Sequence, residues 1–350
     1  MQDLDFRIKV LTPRGILFPS KSLASNAFAH FGTSRPSDGS ATYKDLEGCQ
    51  HTEVWLTADE QFIRDVNREY TYMRYEGLCE AEFATYAKET LLRRDPRVLD
   101  PGEDREWRTE RMVEFSAKPG PGALPGQWQG PPVTEKDSTW KEFDFDIHPD
   151  CQYWLSVRAF NPEYTRLFTD YVFVHGQRIT CPYFTIEFKK DYKDNNNLKA
   201  QDQVATASAV ALYNRCQLKR DRLIGTRKRW TQKHNTSLRY YGLTLAGPIY
   251  QFWWIRLRGY ADGLSIPPEK WKWCGCEMVR ASNGSLDKPS DVRNFVEWLN
   301  EIHRWGLTVH GPSCEKDVKF CISNTKDAVR TSLEEVAEQD SDTEIDEEQL

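Results

Sequence analysis

From Asp59 onward apolar residues recur with a helical period. Phe62, Ile63, Val66, Tyr70 and Met73 fall at i, i+1, i+4, i+8 and i+11 and form one stripe, which Gly77 ends. A second helix is predicted from about Glu80 to Arg93, where Phe83, Ala84, Ala87 and Leu91 share a face and Asp95-Pro96 stops the pattern. Past a stretch dense in Pro and Gly (118–132), β-branched and aromatic runs predict strands over Trp140–Ile147, Tyr153–Phe160, Asp170–Val174 and Tyr183–Phe188. The run Leu198–Cys216 switches to helical composition, and its many alanines give a surface able to lie close against a sheet. Two more strands are predicted within Arg239–Arg258. A last helix follows, with Ser290 as its N-cap, Phe295, Trp298, Leu299, Ile302 and Trp305 as its stripe, and Gly306 at its end.

Residues before about 50 show no sustained period and a single strand-like piece, Phe6–Leu11. The order of elements predicts an α/β sandwich in one domain. It is bounded as an irregular arm at 1–55, an α/β domain at 56–325 carrying the 118–132 insertion, and a tail at 326–350.

Composition narrows the class. With 39% hydrophobic and 13% aromatic residues in 350, the chain has the makings of a folded globular protein. No apolar run is long enough to cross a bilayer, and Asp3, Asp5, Arg7 and Lys9 interrupt any secretory signal at the N-terminus. The nine cysteines are odd in number and scattered, as expected of reduced thiols. These features predict an intracellular protein, nuclear or cytoplasmic, with no membrane partner.

The net charge of −6 is unevenly spread. Nine acids and no basic residue lie from Glu334 to the C-terminus, and without them the body carries 47 basic against 44 acidic residues, or +3. Such a tail is too polar to fold. It is either a solubilising appendage or an electrostatic competitor for a polyanion, and Ser341 and Thr343 within it suit an acid-directed kinase.

The most informative stretch is Phe168–Lys190. Two strand-like runs flank a polar turn at His175-Gly176-Gln177-Arg178, so an antiparallel hairpin is expected, with Asp170 opposite Glu187. Period-two alternation puts Glu187 and Lys189 on one face and Ile186 and Phe188 on the other. Paired carboxylates offer hard oxygen ligands for Mg²⁺ or Mn²⁺, and Lys189 is placed to orient a water or a phosphate. The alternative for an isolated E-x-K triplet is a strand edge with solvated charges.

In this context the sequence resembles the PD-(D/E)XK, or restriction-endonuclease-like, nuclease superfamily, and more closely fungal proteins that carry such a nuclease-like domain. The resemblance is carried by LCEAEFATYAKETLL (78–92), ITCPYFTIEFKKD (179–191), QDQVATASAVALYNR (201–215), RYYGLT (239–244) and LNEIHRWGLTVHGPSCEKDVK (299–319). It implies a restriction-endonuclease-like α/β/α core around a mixed sheet and metal-dependent hydrolysis of nucleic acid, with a catalytically inactive module binding nucleic acid or a protein as the alternative. Carried over by position, the motif strand matches Glu187 and Lys189, the following helix offers Gln203, and the helix-borne acid matches Glu80. Glu80 shares the face of Phe83 and Ala87, whereas Glu82 is turned about 200° away at ~100° per residue. The alternative for Glu80 is a partly buried ion pair with an arginine. Asp170 follows Thr169 where the family has Pro, so Asp144 and Asp146 are alternative metal-binding acids.

A second feature favours a polyanion. Arg215, Lys219, Arg220, Arg222, Arg227, Lys228, Arg229 and Lys233 are interrupted by one acid, Asp221, and interleaved with Trp230. This set suits backbone phosphates with an aromatic plane for a base, or else a solvated loop or an import signal. Cys274 and Cys276 lack a second pair at zinc spacing. No phosphate-binding loop, dinucleotide fingerprint, nucleophile elbow or H-E-x-x-H is present.

Overall fold

A computed structural model describes residues 3–23, 26–35, 41–96, 106–120, 126–135, 142–259 and 265–323. The 326–350 tail, with its expected lack of a fold, lies outside the described residues.

Helix α1 (Glu60–Tyr75) begins where the Asp59 carboxylate accepts the Phe62 N–H at 2.8 Å, and Gly77 leaves it with a φ of +65°. Its stripe of Ile63, Val66, Tyr70 and Met73 is buried as the period demands. Helix α2 (Glu80–Tyr86) continues into a π-helical turn, Ala87–Leu91.

Among the described residues, eight strands form one mixed sheet. They are β1 (Ile16–Leu17), β2 (Thr109–Val113), β3 (Cys151–Ser156), β4 (Val174–His175), β5 (Ile179–Lys189), β6 (Arg239–Ala246), β7 (Ile249–Leu257) and β8 (Cys276–Ser285). Their order is β1-β8-β7-β6-β5-β3-β2, with the short β4 beside β5. The pairs β5–β6 and β1–β8 are parallel, and the remaining neighbours antiparallel.

Alternation divides the core between the two faces. Phe184, Ile186, Phe188, Tyr241, Leu243 and Phe252 face α1, α2 and helix α4 (Pro289–Trp305). Tyr240, Trp253 and Ile255 face helix α3 (Asp194–Gly225), which connects β5 to β6. A Cβ on Gly242 would come within 2.3 Å of Val204 Cγ1, so glycine sets the close approach of α3 to the sheet. Residues 204–213 of α3 are buried all round, because the N-terminal segment, Trp128, Trp271 and Trp273 cover the side away from the sheet.

Several expectations give way. Phe6–Leu11 is helical rather than extended: Asp3–Phe6 and the π-helical turn Arg7–Leu11 bury Val10 and Leu11 in the α3 core. The arm is thus part of the packed fold, and β1 adds it to the sheet edge. Of the expected 140–147 strand, residues 140 and 141 are outside the described residues, and Ile147 makes one isolated bridge to Ala117. Ser290 does not cap α4, which starts at Pro289 after Lys288. Nor does Gly306 end that helix. The chain stays helical through Gly306–His310 and 311–323, and the missing Cβ of Gly306 leaves room for the Tyr183 ring.

Candidate functional site

The site forms at the C-terminal end of β5, where β3 starts antiparallel to it. Cys151 pairs with Ile186, which sets Asp150 beside Glu187 and Phe188. Asp150 Oδ2 accepts the Phe188 N–H at 2.8 Å, and the Asp150 and Glu187 carboxyls are within hydrogen-bonding reach of one another. Glu187 is 1% exposed, and its Oε2 has no hydrogen-bond partner. Lys189 Nζ stands 3.9 Å from that oxygen and donates to the Phe188 carbonyl at 2.6 Å. Burial first, and then the Asp150 charge, push the Glu187 carboxyl well above the usual carboxylate range, with Lys189 opposing.

Glu187 opens onto a cavity of about 420 Å³ beneath α3, lined also by Phe6, Phe143, Asp146, His148, Lys199, Asp202 and Gln203. Gln203 is exposed on α3 and lines the cavity. The buried Asp202 is paired with Arg7, which ties the N-terminal segment to the cavity wall. Glu80 reaches the same strand end, where its Oε2 accepts the Lys190 N–H at 3.0 Å.

The structure does not bring Asp170 to this group. Instead of opening a strand, Asp170 ends the 3₁₀ turn Phe168–Asp170, because the hairpin folds only at Val174–His175 against Ile179–Thr180. It lines a different cavity with Thr180 and Cys181. Seven strand residues, or about 23 Å at ~3.3 Å each, separate that end of β5 from Glu187. Asp144 is exposed and lies outside the lining. Asp146 does line the cavity, but it engages His148 Nε2 at 2.6 Å, with Lys118 Nζ at 3.9 Å. The acid that stands against Glu187 is Asp150. Its signal was in the chain, since Pro149-Asp150 directly precedes the apolar run of β3.

The basic stretch also divides. Arg215, Lys219 and Arg222 converge on the fully buried Asp317 at 2.7, 2.9 and 2.7 Å. Trp230 is 1% exposed, packs against the tilted ring of Trp271 and donates to Asn235 at 2.7 Å, so its plane is closed to a base. Arg227, Lys228, Arg229 and Lys233 remain exposed and Arg220 half-buried. The exposed four lie beyond the far end of α3, about 33 Å from Gln203 at ~1.5 Å per helical residue.

No family model, curated protein or solved structure matches this chain. Among the described residues, no set of three or more His, Cys, Asp and Glu side chains could hold a metal ion, and no helix is long and apolar enough to cross a membrane.

Proposed function

We propose that this protein is a metal-dependent, nuclease-like phosphodiester hydrolase built on a restriction-endonuclease-like core. The observation that carries the reading is the buried Asp150–Glu187 carboxyl pair with Lys189 beside it, at the mouth of a cavity under α3. The helix–sheet–helix layering agrees with such a core.

The residues fit a divalent ion. The unpartnered Oε2 of Glu187 and the carboxylate of Asp150 supply two hard oxygens. Mg²⁺ commonly takes one or two carboxylates and fills its remaining positions with water and phosphate oxygens, so a third acidic ligand is not required. When bound, Mg²⁺ or Mn²⁺ lowers the pKa of a water and neutralises charge on the reacting phosphate. The protein's own groups do the rest. Lys189, held by the Phe188 carbonyl, orients a water or a phosphate oxygen next to Glu187. Gln203 offers an amide at the cavity, and the exposed Lys199 attracts a backbone phosphate. Glu80 fixes the strand end through the Lys190 N–H. Burial and the Asp150 charge raise the Glu187 pKa, so a cation held by this carboxyl would compete with its proton and its binding would tighten as pH rises.

Incubation of the full chain with single- and double-stranded DNA and RNA, with Mg²⁺ or Mn²⁺, tests the proposal. Cleavage is expected, with a loss of at least about 100-fold in Glu187→Gln and Asp150→Asn. Undiminished cleavage by Glu187→Gln would overturn it. Salt-sensitive binding with no product at any metal concentration would replace it by the non-catalytic nucleic-acid-binding alternative.

A further inference from the structure

A second cavity lies away from the carboxylate site, at the N-terminal end of β5. It is a cavity of about 450 Å³, walled by Trp128, Trp154 and Phe173 and floored by Cys181 and Arg215. Cys181 reaches it through a β-bulge. Leu155 pairs with Thr180 and Trp154 with Pro182, which leaves Cys181 as the extra residue, at a left-handed φ of +46°. A non-glycine residue in that conformation is strained, and such strain gathers at functional positions.

A second thiol stands against it. Cys314, fully buried on the helical segment 311–323, stands within hydrogen-bonding reach of the Cys181 sulfur. His310 ties the two together, with Nε2 3.3 Å from the Cys181 carbonyl oxygen and 3.5 Å from Cys314 Sγ. Thr180 Oγ1 donates to Cys181 Sγ at 3.5 Å. Arg215 adds positive charge beside both thiols. Its Nη2 is taken by Ser313 and Asp317, whereas its buried Nη1 has no partner.

We propose that Cys181 and Cys314 form a reversible dithiol–disulfide couple oxidised by hydroperoxides that enter through this cavity. The Cys181 thiolate attacks the peroxide oxygen, the O–O bond breaks, and the departing alkoxide or hydroxide takes a proton, leaving Cys181 as a sulfenic acid. The Cys314 sulfur then attacks the Cys181 sulfur. An S–S bond forms, the S–O bond breaks, and water leaves with the Cys314 proton. The division of roles follows the surroundings. The Cys314 thiol, the Thr180 hydroxyl and Arg215 lower the Cys181 pKa against its burial, while burial raises that of Cys314. The unpaired Nη1 of Arg215 is a donor for the anionic oxygen.

Equimolar hydrogen peroxide added to the reduced full chain, followed by alkylation and non-reducing peptide mapping, tests this. A peptide joining 181 to 314, two hydrogens lighter than its reduced parts, is expected. It should form at least about 10-fold faster than oxidation of the exposed Cys79, which serves as the internal reference. In Cys314→Ser, oxidation should stop at a Cys181 sulfenic acid that dimedone traps. The measurement on the unaltered chain decides if a variant misfolds. Preferential oxidation of Cys79, or a Cys181 that stays fully alkylatable, would overturn the proposal.

Discussion

Replacing Asp317 by alanine should be among the most damaging single changes in this protein. The carboxylate is fully buried and receives Arg215, Lys219 and Arg222, all from α3, at 2.7–2.9 Å. At an effective dielectric of ~20 each contact contributes roughly 4 kcal/mol of attraction, offset by desolvation and by repulsion among the three cations. Without the carboxylate only the costs remain, and breaking a buried pair by removing one partner costs about 3–5 kcal/mol. At an m-value of ~3 kcal/mol/M, the urea midpoint should fall by about 1–2 M, read by tryptophan fluorescence. Lys219→Met tests the reasoning from the other side. Burial and Arg215 depress the Lys219 pKa to about 8, and the two arginines would keep the carboxylate paired, so this variant should change stability by less than ~1 kcal/mol. Because the folded-state pKa lies below the ordinary 10.5, the Lys219 contribution makes stability rise with pH between about 8 and 10.5, a slope that Lys219→Met should lack. A cost below ~1 kcal/mol for Asp317→Ala, together with one above ~3 kcal/mol for Lys219→Met, would refute the account.

Glu187→Gln should raise the melting temperature of the metal-free protein. The folded-state pKa of Glu187 is raised, so its contribution is fully present below the ordinary 4.5 and lost as pH rises through the raised value. Thermal melts from pH 4 to 8 should therefore converge at the acid end, and a constant offset would count against the burial argument. Asp170→Ala should leave Mg²⁺-dependent cleavage within about 3-fold of the parent, since Asp170 lines the other cavity; a 100-fold loss would return it to the site. Gly242→Ala should destabilise by about 1–3 kcal/mol in chemical denaturation, because its Cβ would overlap Val204. If DNA is bound by the exposed cations, alanine at Arg227, Lys228, Arg229 and Lys233 should each flatten the salt dependence by about one unit of slope, while Lys219→Met should not; equal slopes would remove the patch from the interface.

What the sequence alone determined is what depends on local periodicity. The 3.6-residue stripe of Phe62 to Met73 is enough to require α1 and its buried face. Period-two alternation set Glu187 and Lys189 on the face opposite Ile186 and Phe188, and β5 keeps that division. The alanine-rich run marked α3 as a helix that lies close to a sheet, although not that it would be covered on its other side. The partner of Glu187 depended instead on strand pairing. A nearby hairpin favoured Asp170, but β3, which lies earlier in the chain, occupies the long antiparallel position beside β5 and delivers Asp150. Charge neutralisation was equally non-local. Arg215, Lys219 and Arg222 read as a free cationic stretch until the fold brought in Asp317, about a hundred residues further on. Phe6–Leu11 shows the same limit, because its conformation is fixed by the α3 surface it covers and by the Arg7–Asp202 pair. Periodicity reports which face of an element is apolar, whereas the identity of the opposing group is set by tertiary packing, which overrides weak local propensity.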